Sequence, residues 1–260
     1  MELNYGTYLK LDELLDLQKP QSTGPEHDET LFIIIHQVYE LWFKQQLHEA
    51  DLLGRSFEAG DAPVAAATLG RMLTILKTMV AQVDILETMT PISFLSFREF
   101  LASSSGFQSA QFRAFEFALG HKRQRPLDNY DEDSSERAML EARLATPSVW
   151  AQFIKYLSLV GVEVPEDLLT RPTADPTEAS EALQRSLIEV YRTNPPLRSL
   201  CELLVDLDEG VQEWRYRHVK MVERTIGFKK GTGGSPGIGY LRETLFRPLF
   251  PDLWAIRSEL

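Results

Sequence analysis

The chain has 260 residues, which suits one large helical domain or a compact core with an inserted subdomain, and is ample for enclosing a cavity of cofactor size. With 27 Lys and Arg against 38 Asp and Glu, its formal net charge of -11 argues against general attraction to nucleic acid or an anionic membrane, so an anionic ligand must be gathered by a local cluster of cations. A composition of 25% charged and 43% hydrophobic residues is that of a globular chain, and the single cysteine, Cys201, excludes an internal disulfide and suits a reducing compartment.

The amino terminus, MELNYGTYLKLDELL, has neither a basic segment nor a continuous apolar run, which predicts no secretory or transit signal and a cytoplasmic protein. Pro20, Gly24 and Pro25 break the chain. Helical patterning then runs from about Asp28 to Phe57, where Gly60 and Asp61 close it and start a second arm from Ala62 to about Met89. The apolar run LFIII stops at His36, far short of the roughly 20 residues that span a bilayer, which predicts no membrane association. A shorter helix from Ile92 to Leu101 precedes a break at residues 103–106, and a further one, Phe107 to Leu119, stops at Gly120.

Residues 121–195 read as a polar connection followed by short helical patterns cut by Pro147, Gly161, Pro165, Pro172 and Pro176. They suggest a small inserted helical bundle rather than more of the main core. Another long pattern, Pro196 to Gly227, leads into the glycine-rich KKGTGGSPGIG and two short terminal helices containing Leu245 and Trp254. No stretch combines two-residue alternation with hairpin turns, so the predicted fold is all-α: a core of long helices in a single domain over 1–260, with the small helical insertion.

Two histidines stand on apolar helical stripes. His36 recurs with Phe32, Tyr39 and Phe43 at four- and three-residue steps; His218 lies on the stripe Leu207, Val211, Trp214, Met221 and Thr225, with Arg215, Arg217, Lys220 and Arg224 beside it. An imidazole for iron, apolar neighbours for the porphyrin faces and cations for the propionates suit a haem site. The same pattern serves a plain buried core histidine, and periodicity alone does not separate the two.

Other metal schemes fit less well. A helical di-iron site needs Glu three residues before His, and the five histidines have Gly24, Ile33, Gln45, Ala118 and Arg215 there. His48-Glu49 does not continue into HExxH. The glycine-rich segment follows a helix rather than a strand and lacks phosphate-loop order, leaving a loop that allows close backbone approach to a ligand. Arg98, in the Phe- and Leu-rich FLSFREFL, needs a carboxylate partner if it points inward, and pairs with a local acid such as Glu99 if it does not.

Five blocks in order resemble the tryptophan 2,3-dioxygenase family from Tyr5 almost to the end: YGTYLKLDELL, HDETLFIIIHQVYELWFKQ, LETMTPISFLSFREFL with SSGFQSAQFR, WRYRHVKMVERTIGFKKGTGGS, and FPDLW. The resemblance implies haem b, ferrous when active, with His218 as its proximal iron ligand and His36 on the distal side accepting the indole N–H of the substrate. It implies that Arg98 clamps the carboxylate of L-tryptophan with help from Thr232, and that Phe32, Phe94, Leu101, Ser105 and Gly106 shape the pocket, with Phe94, Ser105 and Gly106 toward the cofactor. At the positions of Phe94 and Phe112 the family uses Tyr or Phe.

It also implies that Tyr5, Tyr8 and Leu9 reach into a neighbouring subunit's site in a homotetramer built as a dimer of dimers. The implied reaction puts both atoms of O2 across the indole C2–C3 bond to give N-formylkynurenine. A related haem oxygenase that inserts one oxygen atom into tryptophan or a substituted indole would use the same residues.

Overall fold

A computed structural model describes residues 3–24, 26–102, 104, 106–229 and 238–260. Among them there is no strand, as an all-α chain requires. The frame is three long helices, α3 (His27–Glu58), α4 (Ala62–Leu86) and α11 (Pro195–Ile226), preceded by the short α1 (Tyr5–Leu9) and α2 (Leu11–Leu15). Gly60, at φ 71°, lets the chain turn back after α3, and Asp61 then caps α4 by accepting a hydrogen bond from the Val64 N–H, with Pro63 in the first turn.

Helix α4 has the length and apolarity of a membrane-spanning helix, yet it packs between α3 and α11 and buries Ala65, Leu69, Met72, Leu76, Met79 and Val83 at three- and four-residue steps. The contact with α11 is close: a Cβ added to Gly210 would come within 2.8 Å of Leu76 Cδ2. A larger residue at 210 would have to displace the Leu76 side chain, so packing rather than backbone angle favours glycine there.

The expected short helix is α5 (Pro91–Arg98), extended by a 3-10 turn at Glu99–Leu101, and the next is α6 (Ala110–Leu119), which ends at Gly120 with φ 114°. The region 121–195 contains α7 (Ser135–Ala145), α8 (Val149–Leu159), α9 (Glu166–Thr170) and α10 (Glu181–Thr193). Its expected separation from the main core is corrected by the packing. Leu140, Leu144, Trp150, Phe153, Leu183 and Leu187 share one apolar cluster with Phe43, Phe57, Met72 and Leu204 of the long helices. The prolines shorten the helices without detaching them, because each retains a buried stripe.

At the carboxyl end come α12 (Ile238–Glu243) and α13 (Pro251–Ala255); Leu245 lies just past the first and Trp254 within the second. A smaller apolar cluster of Ile35, Leu86, Met89, Phe94 and Phe97, with Phe32, Leu101, Met221 and Ile226 against it, joins α3, α4, α5 and the end of α11.

Candidate active site

A cavity of about 240 Å³ is lined by members of both clusters and by α3, α4, α5, α6, α11 and α12. His36 and His218 both line it, from α3 and α11. Their helical stripes therefore meet across a space rather than in solid packing.

His36 Nδ1 lies 2.7 Å from the Phe32 carbonyl oxygen, one turn back along α3, and the Phe32 ring is 4.1 Å from the imidazole. A carbonyl oxygen can only accept, so Nδ1 carries the proton and, in the neutral ring, Nε2 is an acceptor. Burial depresses the His36 pKa below 6.5, against the opposing pull of that carbonyl and of Glu40.

His218 is held down to about 4, first by burial, then by the proximity of His36, which disfavours a second proton, and by the Arg113 cation. It stacks with Trp214, one turn earlier, at 5.4 Å between ring centres and 10° between planes, and Trp214 is braced by Phe112 at 4.9 Å and Phe43 at 5.7 Å. No hydrogen bond to a described residue engages its ring nitrogens. A neutral imidazole with a lone pair, fixed in orientation beside the apolar Val83, Leu86, Val219 and Met221, fits an axial haem ligand. Among the described residues no three His, Cys, Asp or Glu cluster as a metal site.

Phe32, Phe94, Arg98, Leu101 and Gly106 also line this cavity. Ser105 and Thr232 lie outside the described residues. Tyr5, Tyr8 and Leu9 on α1 are not brought to the cavity; they are 75%, 71% and 40% exposed. Of the four cations flagged beside His218, three serve the surface: Arg217 pairs with Asp84 and Glu87, Arg224 with Glu87, and Lys220 with Glu223. Arg215 alone is buried and lines the cavity.

Sequence reasoning missed the charge cluster around Arg215. Glu116, fully buried on α6, accepts from Arg113 and Arg215 at 2.8 Å each and from Arg123 at 2.6 Å. Burial alone would raise its pKa, but the three guanidiniums hold it at about 2, so it is ionised. His121, beside them, is pushed to about 4 by burial, which outweighs the attraction of Glu116. The available signal was Arg113 and Glu116 standing three apart inside the otherwise apolar AQFRAFEFAL.

The family model for tryptophan 2,3-dioxygenase matches residues 1–149 and 156–260. A protein named tryptophan 2,3-dioxygenase from Herpetosiphon aurantiacus is 58% identical over 259 residues, covering 99% of this chain and 98% of that protein. Proteins of the same name from Anaeromyxobacter dehalogenans and Caulobacter vibrioides are 56% and 45% identical, each over 99% or more of this chain and 96% and 99% of their own length.

Proposed function

The chain belongs to the tryptophan 2,3-dioxygenase family, and on that premise we propose that its cavity holds haem b and that the protein opens the indole ring of L-tryptophan with O2. The observation that carries this reading is the pair of neutral imidazoles, His36 and His218, lining one largely apolar cavity from two facing helices. In the reaction the C2–C3 bond breaks, and each carbon takes one oxygen atom as a carbonyl, giving N-formylkynurenine with no other product.

Haem supplies the ferrous iron that activates O2. His218 would hold that iron, its ring kept in place by the parallel Trp214 ring. His36 Nε2 would accept the indole N–H and fix the rotation of the ring, while Phe32 packs against the imidazole and limits its tilt. Arg98 would receive the substrate carboxylate. Phe32 and Leu101 would close apolar surface around the indole and Phe94 would do so toward the cofactor, keeping water out. The chain's contribution is position: two reactants are held in one orientation, and no strong base is needed for addition to the indole.

The working unit is a homotetramer, a dimer of dimers, in which α1 of one subunit completes a neighbour's site; the exposure of Tyr5, Tyr8 and Leu9 supports this. It acts in the cytoplasm, in keeping with a single buried cysteine.

Aerobic turnover of the reduced, haem-loaded protein against a panel of indole compounds, read by product mass, tests the proposal. A gain of two oxygen atoms on L-tryptophan is expected. A gain of one, or no O2 consumption with any indole amino acid, would refute it.

A further inference from the structure

On the cavity wall the Arg215 guanidinium keeps donors that no described residue accepts from. Arg215 is 3% exposed. Its Nη2 donates to Glu116 Oε1 at 2.8 Å and lies 3.4 Å from His121 Nδ1, but Nε and Nη1 are buried with no acceptor among the described residues. Leaving guanidinium N–H groups buried and unmatched is costly, so these donors call for a partner in the cavity they line. Glu116 stays ionised and is also held by Arg113 and Arg123, so it anchors one side of Arg215 and leaves the other donors to the cavity.

We propose that Arg215 binds a carboxylate of the cavity's ligand, specifically a propionate of haem, as a charge-assisted contact that fixes how the porphyrin is seated next to His218. This rests on the haem reading above. Arg215 is one turn from His218 on α11, close enough to reach the rim of a porphyrin ligated there. Neighbouring α12 and its end bring Leu241 and Thr244 to the same cavity, so the contact is shielded from bulk water and from screening. The acidic chain as a whole repels anions, and this cluster is the local exception its net charge demands.

The test is a chemical cycle. Apoprotein, wild type and Arg215→Gln, is titrated with haem and with haem dimethyl ester, whose propionates carry no charge, and affinity is read from the Soret band. Arg215→Lys is carried alongside, and far-ultraviolet circular dichroism checks the fold. Wild type is expected to prefer haem over the ester, and Arg215→Gln to weaken haem binding on the order of tenfold or more while changing ester binding little. Arg215→Lys should fall between, since a point charge replaces the planar group.

Equal losses for haem and ester would assign Arg215 a purely structural part and overturn the proposal, as would no preference in the wild type. Unchanged haem affinity with a raised KM for tryptophan would move the contact to the substrate's carboxylate and overturn it as well. Wild-type protein that takes up neither porphyrin would remove the haem reading itself, and this assignment with it.

Discussion

The Nδ1 of His36 donates to the Phe32 carbonyl oxygen across 2.7 Å, which fixes both the tautomer and the rotation of this imidazole within a single helix. Nε2 is therefore an acceptor only while the ring is neutral, and burial keeps the pKa below 6.5. Protonation would turn the acceptor into a donor facing the indole N–H. The acid limb of kcat/KM is thus expected below pH 6.5, and it should vanish for 1-methyl-L-tryptophan, which has no N–H to offer. A pH profile for both substrates checks this; an acid limb at or above 6.5 would contradict it.

His218 is expected to be indispensable for haem retention. His218→Ala should lose the Soret band of purified protein or reduce it severely, with partial recovery on adding imidazole to the space left behind. Trp214→Leu removes the parallel ring at 5.4 Å, along with its contacts to Phe43 and Phe112, and leaves the imidazole freer to rotate. We expect haem to remain bound but the iron–histidine stretching band in resonance Raman spectra to broaden or shift. An unchanged band would show that the stack does not position the ligand.

The histidines show how much of this site was legible. Helical period placed His36 and His218 on buried stripes, but a stripe is the same whether it faces solid core or a cavity, and only the tertiary arrangement, with α4 packed between α3 and α11, separates the two. Arg98 and Leu101 were found through motif. Arg113 and Glu116 were overlooked because the pattern of α6 is apolar, and the meaning of its two charges depends on Arg215, 99 residues away from Glu116. Prolines in 121–195 were read as detachment, whereas they only limit helix length; Leu140, Phe153 and Leu187 still reach the common core.

Acid should destabilise the apoprotein well before carboxylates titrate. His121 and His218 have folded-state values of about 4 against an ordinary 6.5, so folding keeps them neutral and the unfolded chain binds protons first as the pH falls. Their stability contribution is complete above about pH 6.5 and is lost progressively down to about pH 4, up to about 3 kcal/mol for each. The Tm of apoprotein is expected to drop steadily between pH 7 and pH 5. His121→Gln should flatten that dependence, and a Tm independent of pH across this window would rule the mechanism out.

The carboxyl-terminal segment is pinned by one side chain. Asp208 on α11 is fully buried, and its Oδ2 accepts from the Leu249 N–H at 2.7 Å, the Phe250 N–H at 3.0 Å and Trp254 Nε1 at 2.9 Å, while Oδ1 accepts from Gln212. These bonds seat Leu249, Phe250, Leu253 and Ile256 in the main core. Asp208→Ala strands three buried donors and should cost on the order of 3–5 kcal/mol, as breaking a buried charged network does. Asp208→Asn can keep its oxygen toward the three donors and turn its amide toward Gln212, whose own amide can flip to accept. It loses the charge but not the partners, so its cost should be nearer 1–2 kcal/mol. Urea unfolding gives the order wild type, Asp208→Asn, Asp208→Ala, and limited proteolysis should clip the segment after Thr244 soonest in the alanine variant. Equal losses in the two variants would mean that the charge, and not the count of satisfied donors, holds this end of the chain against α11.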